Sequence, residues 1–336
     1  MTSKLISEGF KVDTVKFDLY DRRALHQVSL LRLLISKYRR LDPDFIFHYT
    51  IKPNIFGTYA AKALGIPSIA IVTGLGTFPD VQGRVSKHLL YSAYGLSARL
   101  SQNVWFLNSS DKDHFQDRGW LKKTGSLILP GEGVNTSHYA FKKPKDVTNR
   151  KPFTVLYAGR FICQKGARTF AEAARIVRAR QPNIRFRVLG FLELHNPDAI
   201  PQAEFRQWTQ EGLFAYLGQT HDVRPEIQRA DVVVLPTAYR EGLSRILLEA
   251  MSIGRPIITT NVVGAGELVE HEKNGFLVPV NDSGAVADAI ERCSALSAEE
   301  RAAYGKRSRQ IVEDRYDEKY IIESYMEYLE VFFKKQ

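Results

Sequence analysis

Two short apolar runs with one helix between them constrain the fold of this chain more than any other feature. The runs are 231–236 and 256–260, which are rich in Val and Ile and bounded by proline. Runs of this length and composition are typical of buried parallel strands. Between them, Ser244 is placed to cap the start of a helix and Gly254 to end it. The pattern predicts a strand, helix and strand unit of a parallel α/β sheet.

Two glutamates mark the same unit as a place for ligand chemistry. Glu241 lies in the loop that leaves the first strand, and Glu249 lies inside the helix that follows. Ligands of open α/β sheets bind at the carboxyl ends of the strands, beside helix N-termini. We therefore expect both carboxylates to face a ligand.

Strands and helices alternate along both halves of the 336-residue chain, which is long for a single core. We expect an N-terminal domain over 1–145 and a C-terminal domain over 153–312. The polar, Lys-rich stretch 146–152 is predicted to link them. Residues 313–336 are predicted to form a helix that packs back toward the N-terminal domain.

The beginning of the chain departs from the usual order of an α/β domain. A helix is predicted over 3–7 and a strand over 11–17. Such a domain ordinarily begins with a buried strand and a turn into its first helix. The sequence starts after both, so either the start of the gene is placed late or the first domain lacks its usual first strand and the loop that follows it.

Composition excludes several classes of protein. No run of 18 apolar residues is present, and the first residues contain no apolar segment of signal-peptide length. Cys163 and Cys293 show neither paired nor metal-ligand spacing. These features predict a protein of the reducing cytoplasm.

The net charge of +10 is confined to one half of the chain. Residues 1–150 hold 22 Lys and Arg against 12 Asp and Glu, whereas residues 151–336 hold 25 of each kind. A one-sided positive field suggests an anionic partner surface, such as membrane lipid, a phosphorylated carrier or nucleic acid. A solubilising bias of the surface is the alternative.

A basic, glycine-bounded loop opens the C-terminal half. Residues 159–166 join its first strand to its first helix, and Arg160 and Lys165 lie in this loop beside Gly166. Two fixed cations near a helix N-terminus can hold a diphosphate. By itself the loop could equally be a solvated basic turn. The loop from Glu241 to Ser244 is expected two strands away, on the same edge of the sheet. Together with the carboxylates of Glu241 and Glu249, which can accept hydrogen bonds from sugar hydroxyls, the basic loop favours a nucleotide-diphosphate sugar.

Two other patterns carry less information. Thr73 and Gly74 begin a Gly-rich turn after a strand, where the backbone can approach a ligand closely. The spacing Asp42-Pro43-Asp44, repeated at Asp111-Lys112-Asp113, is one by which carboxylates hold a metal. Asp42 and Asp44 precede a strand instead of following one, so we predict no metal site.

At this point the sequence resembles a known family, the retaining glycosyltransferases of the GT-B fold, and among them glycosyltransferase family 4. Glu241 and Glu249 match its E-x7-E signature, and Arg160 with Lys165-Gly166 matches its R-x4-K-G. Further likeness lies in 131–135, in 264–279 and, for the bacterial subgroup that builds capsule, O-antigen and other lipid-linked glycans, in 48–57 and 73–76. The resemblance covers nearly the whole chain.

The resemblance implies two Rossmann-like domains that face a central cleft, with the donor held mainly by the second. Arg160 and Lys165 would bind the diphosphate and stabilise the leaving nucleotide, Glu249 would bind the ribose, and Glu241 the donor sugar. The implied catalytic residues are Glu241, Arg160 and Lys165. The implied donor-binding residues are Arg160, Lys165, Gly166, Glu241, Gly242, Leu243, Ser244, Glu249, Thr73 and Gly74.

The same likeness implies transfer with retention of configuration, from a donor expected to be UDP-linked, with neither a metal nor another cofactor. The acceptor would be a polyprenyl-diphosphate-linked glycan of surface polysaccharide biosynthesis. The protein would act as a peripheral protein at the cytoplasmic face of the plasma membrane, through its basic half, and would not bind nucleic acid.

Three departures from the family pattern leave alternatives open. Thr73 stands where many members have a His, and Ala265-Gly266 stand where relatives often have Cys-Arg. The expected absence of the first strand suggests a GT-B protein that binds nucleotide sugar without turnover. A sugar phosphorylase or epimerase of related fold is a further alternative, and a nucleic-acid binder is disfavoured because the basic half has no reading motif.

Overall fold

A computed structural model describes residues 2–15, 24–75, 84–122, 124–143 and 152–334. Within these ranges the strands form two separate parallel sheets, one from each half of the chain. The expected linker falls mostly on 144–151, outside the described residues, as do residues 16–17 of the predicted strand over 11–17.

The first sheet has four parallel strands in the order β1-β2-β3-β4. Its central strand β2 is buried along its whole length. The strands are β1 Ile46–Tyr49, β2 Ser68–Val72, β3 Asn103–Phe106 and β4 Gly125–Ile128. The helices of this half are α1 Thr2–Ser7, α2 Ala24–Leu41, α3 Thr58–Ala63, α4 Arg84–Leu100 and α5 Ser109–Asp117, with a π-helical turn at Pro53–Gly57 before α3.

The second sheet has six parallel strands in the order β10-β9-β8-β5-β6-β7. The strands are β5 Thr154–Ala158, β6 Arg185–Leu189, β7 Ala215–Tyr216, β8 Val232–Leu235, β9 Ile257–Thr260 and β10 Gly275–Val278. The helices are α6 Ala167–Arg180, α7 Gln202–Gln210, α8 Arg224–Arg229, α9 Arg245–Ile253, α10 Ser283–Ala295, α11 Ala298–Arg315 and α12 Glu318–Phe333.

The strand, helix and strand predicted over 231–260 form as expected. Strands β8 and β9 are buried throughout, as expected for parallel strands covered on both faces. Helix α9 between them begins after Ser244 and ends at Gly254, whose φ of +84° is the left-handed conformation that a helix-ending glycine supplies. Ser244 occupies the N-cap position, but its side chain makes no capping hydrogen bond.

The order of the strands brings two predicted site loops closer together than the sequence indicated. We expected the loop at 159–166 and the loop before α9 to lie two strands apart. Strand β5 instead pairs directly with β8, through Val155 with Val232 and Leu156 with Val233. Because both strands are parallel, the loops that leave their carboxyl ends are immediate neighbours.

The last helix returns to the first sheet. Tyr325 of α12 stacks edge-on against Trp105 of β3, with ring centroids 4.7 Å apart, and lies 4.9 Å from the ring of Phe47. The hydroxyls of Tyr325 and Tyr49 are 2.6 Å apart. A layer of aromatic rings therefore covers this face of the four-stranded sheet with residues from the far end of the chain.

Some predicted elements are wrong or incomplete. The strand expected over 11–17 is not formed over 11–15. Helices α5 and α7 were not predicted, because both are short and polar, with few apolar positions to reveal their period. In the part of the chain that the structure describes, no helix is long and apolar enough to cross a membrane.

Candidate functional site

The carboxyl edges of the two sheets meet at the loop between β8 and α9. The backbone N–H of Gly242 in this loop donates to the carbonyl oxygen of Thr73, which follows β2, at 3.0 Å. The guanidinium of Arg240 donates to the hydroxyl of Ser110, on α5, at 3.1 Å. The predicted site loops of both halves are therefore in direct contact.

A partly buried ion pair lies at the centre of this contact. Lys165 Nζ is 2.6 Å from Glu241 Oε2, and the two side chains are only 13% and 16% exposed. The ammonium also lies 5.3 Å from the centre of the Tyr239 ring. The second carboxylate oxygen, Glu241 Oε1, is buried and has no hydrogen-bond partner among the described residues. Since a buried acceptor without a donor is costly, this atom is suited to bind a hydroxyl or amide of a ligand.

The loop that carries Lys165 is held by hydrogen bonds from strand β5 and from the loop before α9. The hydroxyl of Tyr157, a buried residue of β5, donates toward the carbonyl oxygens of Arg160 and Lys165 at 3.1 and 3.3 Å. Gln164 accepts a hydrogen bond from the backbone N–H of Ala238 at 2.7 Å, which ties this loop to the one before α9. The loop is therefore fixed before any ligand arrives.

Gly166 ends this loop in a conformation that other residues rarely adopt. Its φ is +74°, and a Cβ at this position would collide with the carbonyl oxygen of Pro236. The glycine therefore allows α6 to begin directly beside the neighbouring loop.

The second cation of the loop has a partner that sequence reasoning missed. Arg160 Nη1 is 2.8 Å from Glu193 Oε2, and the side chains are 36% and 27% exposed. Glu193 follows the carboxyl end of β6, so the rule that placed Glu241 at the site could have found it too. Arg160 and Lys165 each face one carboxylate.

Glu249 lies in a different environment from Glu241. Its side chain is 8% exposed, and Oε1 accepts hydrogen bonds from the hydroxyl of Tyr139 at 2.9 Å and from Nε of Arg245 at 3.0 Å. Burial, followed by the charge of Glu249, raises the pKa of Tyr139 to about 12. Neither Tyr139 nor Arg245 was predicted. The carboxylate is thus fixed in place through one oxygen.

The first turn of α9 offers backbone donors. The helix begins without a side-chain cap, although Ser244 is buried there. Leu243 packs against Gly131 of the first half, since a Cβ at Gly131 would meet the Leu243 side chain. An uncapped helix N-terminus attracts anions through its unpaired N–H groups and its dipole.

Glycines let three backbone segments converge on the loop before α9. A Cβ at Gly74 would lie 2.7 Å from the amide nitrogen of Gly242, and a Cβ at Gly264 would collide with the carbonyl oxygen of Glu241. Both glycines have positive φ, +120° and +86°. The predicted close approach at Gly74 is therefore made to protein backbone in this structure.

Asp111 is buried at the same junction. Its Oδ2 accepts from the backbone N–H of Leu75 at 3.2 Å and from Asn108 at 3.0 Å, while Oδ1 has no partner within the described ranges. Burial is the main cause that raises the pKa of this carboxyl group, and the hydrogen bond from Asn108 opposes it. Its position three residues after Asn108, the N-cap of α5, gives the side chain an ordinary structural role.

The carboxylates with the spacing of metal ligands do not form a cluster. Asp42 and Asp44 are exposed at the amino end of β1, away from the edge at which the loops meet. Across the described ranges, no group of three or more His, Cys, Asp or Glu side chains is placed to hold a metal ion.

Solved structures share this fold. The structure superposes on the crystal structure of Anabaena Alr3699/HepE in complex with UDP and glucose, with a TM-score of 0.78 over 98% of this chain and 88% of that chain, at 19% sequence identity. The predicted two-domain GT-B fold with parallel sheets is confirmed.

Sequence comparison finds a family match in the second half of the chain. Residues 152–295 match the family described as glycosyl transferases group 1. This match contains both the Arg160–Gly166 loop and the loop from Glu241 into α9.

Two curated relatives span most of the chain. One is the N,N'-diacetylbacillosaminyl-diphospho-undecaprenol alpha-1,3-N-acetylgalactosaminyltransferase of Campylobacter jejuni, 26% identical over 97% of this chain and 87% of that protein. The other is the UDP-Gal:alpha-D-GlcNAc-diphosphoundecaprenol alpha-1,3-galactosyltransferase of Escherichia coli, 27% identical over 80% of this chain and 72% of that protein. These relatives support a glycosyltransferase.

Proposed function

We propose that this protein transfers a sugar from a UDP-linked donor to a polyprenyl-diphosphate-linked glycan, with retention of configuration and without a metal ion. The observation that carries the proposal is the partly buried Lys165–Glu241 pair at the meeting edges of the two sheets, with Glu241 Oε1 left unbonded among the described residues. A cation and a hydroxyl acceptor side by side suit a ligand that joins a phosphate to a sugar.

The donor diphosphate would bind between Lys165, Arg160 and the first turn of α9. Both cations are held by carboxylates, at 2.6 and 2.8 Å. An entering diphosphate would therefore exchange with these carboxylates and would not simply add to free cations. The dipole of α9 and the N–H groups of its first turn, which no side chain caps, would favour the same anion.

The two glutamates would read the two sugars of the donor. Glu241 Oε1 would accept a hydrogen bond from a hydroxyl of the transferred sugar, and the second oxygen of Glu249 would accept one from a ribose hydroxyl. Tyr139 and Arg245 would keep the Glu249 carboxylate oriented for this contact. Thr73 and Gly74 would border the transferred sugar from the first sheet.

The chemical step requires negative charge to build on the leaving diphosphate while the sugar bond breaks. Fixed cations placed before the reaction stabilise that charge without reorganisation. Lys165 and Arg160 are the candidates, so neutralisation by a metal is unnecessary. Retention places the acceptor hydroxyl on the same face as the leaving group, and both relatives carry an alpha linkage in their names.

The acceptor side is proposed to be the basic first half. The outward face of α4 exposes Leu89 at 65% and Leu96 at 50%, with Arg99 one turn further on. Apolar side chains beside cations suit the surface of an anionic membrane. The protein would then work as a peripheral protein at the cytoplasmic face, where a lipid-linked acceptor is presented. Flotation with vesicles that contain phosphatidylglycerol tests this part, and no binding at low salt would contradict it.

A transfer assay tests the proposed function directly. Purified protein is incubated with UDP-sugars and a polyprenyl-diphosphate-linked sugar in detergent, and product is measured by mass spectrometry. Removing one charged contact to the leaving group lowers the rate by about 10²–10³. We expect losses of this size for Lys165→Ala, and a comparable weakening of donor use for Glu249→Ala.

The matched control is Lys306→Ala, which removes an exposed lysine of α11 that has no ion-pair partner within the described residues. Its transfer rate should equal that of the parent protein. Near-parental transfer by Lys165→Ala and Glu249→Ala would overturn the proposal. UDP-sugar binding by calorimetry with no turnover on any acceptor would instead identify a binding protein.

A further inference from the structure

A second set of cations lies at the opposite edge of the six-stranded sheet. There, a cavity of about 870 Å³ opens among the amino ends of β5, β6, β7 and β8. All strands of this sheet are parallel, so this edge is the far side from the loops that carry Lys165 and Glu241. The arginines that line the cavity are Arg178, Arg185, Arg187, Arg229, Arg255 and Arg301.

Carboxylates balance only part of this charge. Arg187 and Arg229 both pair with Glu226, at 2.6 Å each. Asp231 is the one acidic residue in the cavity lining, and its Oδ2 accepts a hydrogen bond from the backbone N–H of Thr154. The other four arginines have no carboxylate within ion-pair distance in the described part of the chain.

Three of these arginines have an ordinary structural reason for their position. Arg178 and Arg229 lie in the last turns of α6 and α8, where a cation interacts favourably with the helix dipole. Arg255 is 1% exposed, and its guanidinium donates to the backbone carbonyls of four residues, Ile227, Gln228, Lys142 and Gly254.

Arg301 has no such reason. It is 4% exposed, lines the cavity and lies 5.1 Å from the centre of the Phe153 ring. Its side chain makes no hydrogen bond to any described residue. It also sits in the first turn of α11, the positive end of the helix dipole. A guanidinium that lines a cavity and has neither an acceptor nor a counter-charge among the described residues is free to bind an anion that enters the cavity.

The side chains that line the cavity indicate which class of anion it would bind. Guanidinium groups bind phosphate oxygens in pairs, and Arg301, Arg185 and Arg178 together supply more donors than one carboxylate can accept. Phe153, Phe214 and Leu213 give the cavity apolar walls beside these cations. This combination suits an oligophosphate joined to an organic group.

We propose that this cavity is a second anion site, which binds a soluble di- or triphosphate and is separate from the donor loops. Inorganic pyrophosphate is the probe, because it carries the charged part of that ligand alone. We expect pyrophosphate to bind by calorimetry and to raise the melting temperature of the intact protein.

Two variants separate this site from the donor loops. Arg301→Met should weaken pyrophosphate binding at least about tenfold, the loss of one charged hydrogen-bonding group, while UDP binding at the donor loops stays unchanged. Lys165→Ala should show the reverse, weak UDP binding with intact pyrophosphate binding. Arg206→Gln, which removes an exposed arginine of α7 outside the cavity, is the control of equal charge.

A purely structural Arg301 would behave differently. Its replacement would lower the melting temperature without ligand, whereas removal of an uncompensated charge leaves it unchanged or raised. If Arg301→Met does not fold, Arg178→Gln with Arg185→Gln replaces it, because both side chains are exposed. The proposal is wrong if millimolar pyrophosphate does not bind, if these arginine variants bind it normally, or if Lys165→Ala abolishes it. Vesicles with phosphatidic acid that bind where pyrophosphate does not would indicate a lipid surface instead.

Discussion

The two edges of the six-stranded sheet both gather cations, but they neutralise them differently. At the carboxyl edge, Lys165 and Arg160 each contact one carboxylate, at 2.6 and 2.8 Å. At the amino edge, Arg301 stacks on Phe153 and contacts no carboxylate among the described residues. An anion that binds Lys165 or Arg160 must therefore displace a carboxylate, whereas an anion that binds Arg301 displaces none.

This difference has a consequence for selectivity. When a diphosphate displaces the Glu241 carboxylate from Lys165, the freed carboxylate needs new donors, and sugar hydroxyls can provide them. A ligand with phosphate alone leaves that carboxylate unsatisfied, at a cost of about 1–3 kcal/mol. The carboxyl edge should thus prefer a whole nucleotide sugar, and the amino edge should accept a bare phosphate anion.

Neutralising Glu241 is the strongest way to test this comparison. Glu241→Gln removes the counter-charge of Lys165 but keeps an acceptor for a hydroxyl. A charged hydrogen bond contributes about 1.5–3 kcal/mol, so transfer should fall about 10- to 100-fold in kcat/KM. The affinity for UDP should not weaken, because Lys165 no longer has to leave a carboxylate.

The control for this variant lies on the other edge. Glu226→Gln removes the carboxylate that pairs with Arg187 and Arg229, and its transfer kinetics should match those of the parent. Parallel loss of UDP binding and transfer in Glu241→Gln would mean that the ion pair maintains the loop and does not take part in exchange.

A smaller effect is expected when a side chain is added at Gly264, where two backbone segments lie in close contact at the carboxyl edge. Gly264→Ala places a Cβ against the carbonyl oxygen of Glu241, in a residue with φ of +86°. Overpacking costs roughly 1–3 kcal/mol, in addition to the strain of the left-handed conformation. We expect a lower melting temperature and an approximately tenfold loss in transfer, since the Glu241 backbone has to move.

Gly218→Ala isolates the strain from the crowding. Gly218 has φ of +73°, and nothing lies within 4 Å of its added Cβ. The variant should lose only the cost of the conformation, about 1–2 kcal/mol, and retain parental transfer. Equal losses in the two alanine variants would show that the close approach at Gly264 has no functional role.

Much of the second half could be predicted because its signals are local. Val232–Leu235 and Ile257–Thr260 are apolar runs of strand length, and Gly254 and Pro256 mark the end of α9, so this unit formed as expected. The resemblance to GT-B proteins extended that local prediction to the two-domain fold.

The arrangement of the site depends on contacts between residues that are distant in the sequence, which no local pattern predicts. Strand β5 pairs with β8 across a crossover, so the direct contact between Lys165 and Glu241 could not be predicted from a sequence in which they lie 76 positions apart. Tyr139 reaches Glu249 from 110 positions away, and Arg301 of α11 reaches Phe153, which lies just before β5. The sequence shows these side chains but not which of them have partners.

The smallest predicted effect concerns Glu249. It tests whether this carboxylate of the carboxyl edge keeps its protein partners when the donor binds, unlike Glu241. Tyr139→Phe removes the 2.9 Å hydrogen bond to Glu249 and leaves that oxygen with Arg245, whose side chain is 65% exposed. We expect KM for the donor to rise about 3- to 10-fold with kcat unchanged, because roughly 1 kcal/mol of orientation is lost in ground state and transition state alike. Tyr304→Phe is the matched control, since its hydroxyl bonds to no described residue. A fall in kcat at unchanged KM would instead place Glu249 with Glu241, among the groups whose contacts change during the reaction.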